Sequence, residues 1–287
     1  MIRGLDHLVL PVRDLDVARD LYKRMGFTLT PVARHAWGTT NSLVQLDHCF
    51  IELLALADPQ LIEAHRPGVF SFGAFNQEFL KKREGMSMLV VESADARADR
   101  DAFIAADMET YAPFDFSRKA KLPSGDEKTV SFTLTFATDP NAPNLGFFSC
   151  QQHAPEHFWR PHFQTHANTA RVLGEAVMMA AEPRRHLDFL RGLTGSQDVL
   201  DEEGGYSIVT PRGRIRVLNR EAAQNELGQN LPEVELPAFA AYSIRVRDMS
   251  AVRSALDAGE VPCNNSDGRI VVAARDCFGV ALIFEAG

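Results

Sequence analysis

An order of strand, helix and three strands recurs four times along this chain, and no other feature restricts the fold as much. In the first copy, HLVLPV at 7–12 is apolar and rich in β-formers, and Pro11 suggests an edge strand or a bulge. The next stretch, DLDVARDLYKRMGF, has the marks of a helix. Asp14 is placed to cap it, Val17, Leu21 and Met25 share a face, and Gly26 stops it. Strand-like segments at 28–34 and 42–47, then CFIELLAL ending near residue 56, complete the unit. The order returns from MSMLVVE at 86–92, from GEAVMMA at 174–180 and from AAYSIRV at 240–246. Val-Arg-Asp at 12–14 reappears at 246–248.

One βαβββ unit leaves a sheet face uncovered, whereas two side by side curve around a hollow with their helices outside. The expectation is an α+β chain whose four βαβββ modules form two paired-module, curved-sheet (open-barrel) domains, 1–155 and 156–287. Residues 220–237 then read as the linker between the third and fourth copies. A length of 287 residues suits one large or two ordinary domains, and 45% apolar with 24% charged residues is the mix of a soluble globular protein.

A net charge of −8 and the lack of a basic run argue against nucleic acid as a partner. No apolar run is long enough to span a membrane, and MIRGLDHLVL has no signal-peptide pattern. The four cysteines form no CxxC pair, and three sit in apolar, strand-like surroundings, as in a reducing compartment. A cytoplasmic location is expected.

Two ionisable residues interrupt the strands of the first copy: His7 in its first strand and Glu52 in its last. A lone strand histidine is more often a hydrogen-bonded core or edge residue, and a lone glutamate usually faces solvent. Here the two lie at opposite ends of one module. If both strands border one concavity, an imidazole and a carboxylate meet there, a donor set suited to a divalent metal: Zn, Fe, Mn or Ni.

HLVLPVRDLDVARDLYKRMGF together with IELL resembles the vicinal oxygen chelate superfamily of glyoxalases, extradiol dioxygenases and bleomycin-resistance proteins, and the repeat supports this over nearly the whole chain. HAWGTTN at 35–41 and FFSCQQHAPEHFW resemble its glyoxalase-like domain subgroup. The resemblance implies that His7 and Glu52 are metal ligands. The second copy departs from the pattern: Met86 falls where another His ligand would lie, and GFFSCQQH has no Glu. Depending on register, Cys150, Gln151 or His153 faces inward. Gln151 or His153 would then complete the site, or the metal has been lost. The later copies carry Glu175 and Ala241 at the His position, and Glu285 lies two residues beyond the Glu register. The second pair therefore reads as structural, a lid or a dimer surface, and a homodimer is one expected assembly.

HAPEHFWRPHFQTHAN at 153–168 has histidines four apart, but Pro155 and Pro161 break a long helix and the Glu of an HExxH motif is missing. It reads as a connector packing Phe158, Trp159 and Phe163 on the first domain. His153 and His166 are its acid–base and pocket-mouth candidates. Thr39 and Asn41 are expected to bind substrate, although satisfying strand ends explains them too, and Arg118 is expected to anchor an anionic group. FSFGAFNQEFL at 70–80 plugs one end of the barrel or lines an apolar pocket, and the glycines of DEEGG make a hairpin turn.

The functional expectation is a metal-dependent enzyme of lyase, isomerase or dioxygenase type acting on a small substrate with two vicinal oxygens, with lyase or isomerase chemistry ahead of dioxygenase. Glu52 would ligate and shuttle a proton with help from His153. The alternative is a metal-free protein of the same fold that sequesters a small molecule or antibiotic.

Overall fold

The computed structural model describes residues 1–121 and 127–287. The first module is β1 (Leu5–Pro11), α1 (Leu15–Arg24), β2 (Ala33–Arg34), β3 (Thr39–Gln45) and β4 (Phe50–Leu56). After α2 (Phe72–Lys82) the second runs β5 (Met88–Ser93), α3 (Ala96–Ala105), β6 (Glu109–Thr110), β7 (Phe114–Lys121), β8 (Glu127–Thr138) and β9 (Gly146–Gln152). The connector holds α4 (Pro155–Phe158). The third module is β10 (Ala170–Met179), α5 (Leu187–Thr194), β11 (Val199–Glu202), β12 (Gly205–Val209) and β13 (Arg214–Leu218). Beyond α6 (Arg220–Leu227), the fourth is β14 (Ala238–Val246), α7 (Met249–Ala258), β15 (Asn264–Ser266), β16 (Arg269–Val272) and β17 (Ala281–Ala286).

The expected α+β fold of curved, paired-module sheets is what forms. The strand orders are β2-β3-β4-β1-β5-β9-β8-β6, with β7 paired to β8, and β11-β12-β13-β10-β14-β17-β16-β15. In each sheet the opening strands of two modules pair antiparallel at the centre, and each runs parallel to the last strand of its own module. That topology brings first and last strands side by side. Pro11 is a correction to its edge-strand reading. β1 is central, and Pro11 is tolerated as its last residue, where one missing N–H interrupts little of the ladder.

The repeated Val-Arg-Asp has a local cause. Asp14 and Asp248 are N-caps: Asp14 accepts from the Asp16 and Val17 amides and Asp248 from the Ser250 amide, satisfying N–H groups that a helix leaves unpaired. Asp95 does the same for α3. Helices α1, α3, α5 and α7 lie between the two sheets and join them through one apolar core that includes Tyr22, Phe103, Leu190 and Leu256. Within it the Tyr22 and Tyr242 hydroxyls are 2.6 Å apart, which satisfies two buried polar groups across the sheets. Gly26 ends α1 at φ 86°, where its backbone passes against Asn168 and Ala255 with no room for a Cβ.

The opposite faces of the sheets are lined differently. Over the first lie α2, β7 and α4 with an aromatic cluster. The second is filled by Ala223 and Leu227 of α6 with Leu231, Val234 and Leu236, so the expected linker is a plug for that hollow. The connector also packs on the first hollow, through residues 158–160. Phe158 packs on Phe50 and Phe132, Trp159 packs on Phe50, and Gln45 bonds the Phe158 carbonyl and the Arg160 amide. All four cysteines are free. Among the described residues, no helix is long and apolar enough to cross a membrane.

Candidate functional site

Alternation along the strands decides what faces the first hollow. On β4, Phe50, Glu52 and Leu54 point into it, and Ile51, Leu53 and Ala55 point toward the helices. On β1, His7 and Val9 point in; on β3, Asn41 and Leu43; on β9, Phe148 and Cys150. Val9 is the parallel partner of Glu52 and His7 that of Phe50, so the imidazole and the carboxylate sit diagonally across two adjacent strands. His7 Nε2 is 3.9 Å from Glu52 Oε2, and both side chains are more than nine-tenths buried. They form the polar floor of a small cavity of about 50 Å3 walled by aromatic rings, Trp37, Phe72, Phe116, Phe132, Phe148 and Phe158 among them. The His7 ring lies flat on Phe50, with centroids 4.2 Å apart.

A bulge supplies the imidazole with its partner. The β1–β5 pairing passes from Leu5–Val91 to His7–Val90, leaving Asp6 as the extra residue. In a regular strand Asp6 would point away from His7; here Asp6 Oδ2 is 2.6 Å from His7 Nδ1, and Asp6 Oδ1 accepts from Gln152 Nε2 at 3.1 Å. With Nδ1 tied to the carboxylate, Nε2 is the nitrogen presented to Glu52.

Glu52 is oriented by a chain of hydrogen bonds. Asn41 Nδ2 donates to Glu52 Oε1 at 2.7 Å and approaches His35 Nε2 at 3.3 Å; His35 Nδ1 lies 2.7 Å from Thr39 Oγ1. Since an amide NH2 only donates, this network assigns His35 as neutral, accepting at Nε2 and donating from Nδ1. Burial first, and the Arg118 charge second, hold the His35 pKa down to about 3. Burial also raises the Glu52 carboxyl above its ordinary range, against the opposing pull of His7, Asn41 and Arg118. Arg118 reaches the cavity from β7, where Phe116 and Arg118 alternate inward. It makes no direct ion pair with Glu52. The Trp37 indole N–H is buried in the wall without a hydrogen-bond partner among the described residues.

Several residues singled out in the sequence lie elsewhere. Gln151 points to the helix side, where its amide accepts from the Ala96 N–H and donates to the Ala94 carbonyl at the start of α3. His153 lies past the end of β9, with Nε2 2.7 Å from the Thr133 hydroxyl, which itself donates to Asp115. His166 is spent on the backbone, its Nδ1 accepting from the Thr28 amide and its Nε2 meeting the Gln45 carbonyl at 2.8 Å. Thr39 is fully buried and supports His35. Inward-facing Cys150 takes the place expected of Gln151 or His153, because Phe148 and Cys150 share one face and strand alternation excludes Gln151. Ligand-capable atoms of Asp6, His7 and Cys150 all lie within 4.8 Å of one another. Met86 belongs to the helix-side core, and Met88 and Val90 face His7's side of the sheet, so the second module offers the hollow no second imidazole.

The family model for the glyoxalase-like domain matches residues 5–194, which take in the whole first sheet and the start of the second. The chain belongs to the glyoxalase-like domain family. No curated protein sequence matches it significantly. A hypothetical protein from Staphylococcus aureus has a similar structure at 12% identity over 100% of both chains, with a TM-score of 0.72. The Mn(II)-bound glyoxalase from Novosphingobium aromaticivorans aligns at 11% identity, covering 99% of this chain and 81% of its own, with a TM-score of 0.57. Homoprotocatechuate 2,3-dioxygenase from Arthrobacter globiformis aligns at 11% identity over 100% of this chain and 80% of its own, also with a TM-score of 0.57. At such identities these structures share the fold, that of the vicinal oxygen chelate superfamily.

For a glyoxalase-like chain, the second sheet makes an instructive contrast. Glu175 pairs with Arg214 across β10 and β13 as His7 pairs with Phe50, and Val177 pairs with Arg216 as Val9 pairs with Glu52. The His7 and Glu52 positions are therefore occupied by Glu175 and Arg216. Arg216 bonds Glu175 at 3.4 Å, Glu202 at 2.6 Å and Glu226 of α6 at 2.8 Å, while Arg214 and Arg269 bring two more cations to the group. Burial works against it, but hydrogen bonds from Arg216 and Arg269 bring the Glu226 carboxyl down to about 2. The position matching Glu52 on β17 is Ile283, and Glu285 instead accepts from Ser243 near the strand end. In this hollow the buried charges are paired with neighbours and lie under an apolar plug.

Proposed function

We propose that the protein is a metal-dependent enzyme that binds a small, flat substrate in the first hollow through two adjacent oxygens and moves a proton on it, as lyases and isomerases do. The observation that carries this reading is the approach of His7 Nε2 and Glu52 Oε2 to 3.9 Å, each with its other polar atom already bonded. Two atoms bound to one ion at about 2.0–2.2 Å lie no more than about 4.4 Å apart, so the pair fits a divalent cation. Met88 and Phe148 stand where the second module would supply donors, so the remaining coordination positions are left to substrate or water, with the Cys150 thiol close by. The ion would act as a Lewis acid on a substrate carbonyl.

The chain's own residues do the rest. Asp6 holds the His7 ring in one tautomer and orientation. Asn41 fixes one carboxylate oxygen of Glu52 and leaves the other facing the cavity. The oxygen of Glu52 that Asn41 leaves free is placed to accept and return a substrate proton, which makes Glu52 the acid–base group. Arg118 offsets negative charge developing beside Glu52, and the aromatic walls hold a flat ring and exclude water.

Metal analysis of protein purified without added metal tests this reading. About one equivalent is expected, lost in both His7→Ala and Glu52→Ala. A metal-free, folded protein whose cavity still binds ligands would instead establish the sequestering alternative.

A further inference from the structure

Beside the cavity lies a groove of about 660 Å3 that shares Asn41, Arg118 and Phe158 with it. Its lining brings Arg34 from β2, Arg118 and Lys119 from β7, and His157, Arg160 and His162 from the connector to one place. No Asp or Glu lines it among the described residues, although the chain as a whole carries a net charge of −8. Among the described residues, carboxylates act on Arg118 and His157 from outside the groove. Glu52 faces Arg118 from the cavity floor, and Glu156 Oε1 is 3.8 Å from His157 Nε2. Arg34, Arg118 and Arg160 bring guanidinium groups from three separate segments to this groove.

Continuity of cavity and groove sets what such a site recognises. The aromatic hollow takes a flat apolar body, and whatever is attached to its outer end lies among Arg34, Arg118 and Arg160. Guanidinium groups bind multi-oxygen anions with paired donors, and binding is stronger next to an apolar, water-poor wall. Resting on the cavity as the substrate site, we infer that the substrate is an organic anion: a ring or similar flat body seated over His7 and Glu52, with a carboxylate or phosphate tail held in the basic groove. The anion also accounts for Arg118 serving both spaces. One face of it offsets Glu52, and the other is left for the ligand.

Three aryl probes that differ only at the tail test the inference: phenylbutanoate, phenylbutyl phosphate and phenylbutanol, titrated calorimetrically into the protein as purified. At least one anion is expected to bind about tenfold more tightly than the alcohol. The tighter of the two anions then tells a carboxylate tail from a phosphate one. Raising salt from about 0.05 to about 0.5 M is expected to erode the preference, since the groove is open to solvent. Arg34→Gln with Arg160→Gln is expected to abolish it while alcohol affinity is kept, which also shows the variant to be folded. Equal binding of anion and alcohol, no binding of any probe, or a preference that survives both salt and the double substitution overturns the proposal. Metal content reports separately on the enzyme reading, since Arg34 and Arg160 do not contact His7 or Glu52. Protein that lacks metal but keeps the anion preference sinks that reading and leaves this one standing.

Discussion

Asp6 Oδ2 lies 2.6 Å from His7 Nδ1, a contact between sequence neighbours that exists only because β1 bulges at Asp6. A carboxylate behind a ligating imidazole fixes its ring and raises its basicity, and losing such support typically costs 10–100-fold in metal affinity. Asp6→Ala is therefore expected to weaken metal binding by about 10–100-fold, measured by competition with a chromogenic chelator. Asp6→Asn, still able to accept from Nδ1, is expected to recover part of the loss. Wild-type affinity in Asp6→Ala would show that the bulge has no bearing on the metal.

Asn41 donates to Glu52 and His35 from one amide, so Asn41→Leu removes the partner of two buried acceptors at once. A stability loss of about 2–3 kcal/mol is expected by chemical denaturation, because each acceptor bears its own desolvation cost. Thr39→Val acts one step further along the chain, on the hydroxyl that receives the His35 proton, and is expected to cost about 1 kcal/mol. If Thr39→Val proved as costly as Asn41→Leu, His35 rather than Glu52 would be the residue the network exists to hold.

These networks also show where sequence reading reaches its limit. The repeat, the helix caps at Asp14 and Asp248, and the pairing of His7 with Glu52 in one hollow were legible, because strand periodicity and capping are local and the repeat puts first and last strands together. Cys150 rather than Gln151 facing inward was not legible. A period of two leaves a one-residue ambiguity that only the pairing of β9 with β5 and β8 removes. Asp6 was invisible for a related reason, since its bulge arises between β1 and β5, far apart in sequence. His35 lay in view within HAWGTTN, but nothing local says that its ring closes a chain to Glu52. The strand β7, which brings Phe116 and Arg118 to the cavity, fell outside the repeat and went unread despite its alternating pattern.

The neutral state of His35 sets a pH dependence. Its folded pKa of about 3 lies below the ordinary value of 6.5, so between those limits the unfolded chain binds a proton that the folded chain does not. Stability from this group is thus complete above about pH 6.5 and declines as pH falls toward 3. Glu52 acts in the opposite sense. Its raised carboxyl means that the folded chain holds a proton the unfolded chain has released, so its contribution falls as pH rises above 4.5. Denaturation midpoints measured down from pH 7 are expected to fall less steeply in His35→Gln than in the wild type. Parallel slopes in the two proteins would place the His35 proton elsewhere.

The buried charges of the second hollow supply a test of their own. Glu175 and Arg216 are buried at 1% and 8% exposure, and they share Arg214, Glu202 and Glu226 as neighbours. Removing one partner of a buried ion pair leaves an uncompensated charge, whereas removing both leaves an apolar site of similar volume. Arg216→Met is accordingly expected to cost about 3–5 kcal/mol in urea denaturation, because three glutamates lose a common partner. Glu175→Leu is expected to cost less, since Arg216 keeps Glu202 and Glu226. The double variant is expected to be more stable than Arg216→Met alone, as the pair couples through direct contact at 3.4 Å. Strict additivity of the two substitutions would mean that Glu175 leans on Arg214 alone and that Arg216 serves only the contact with α6.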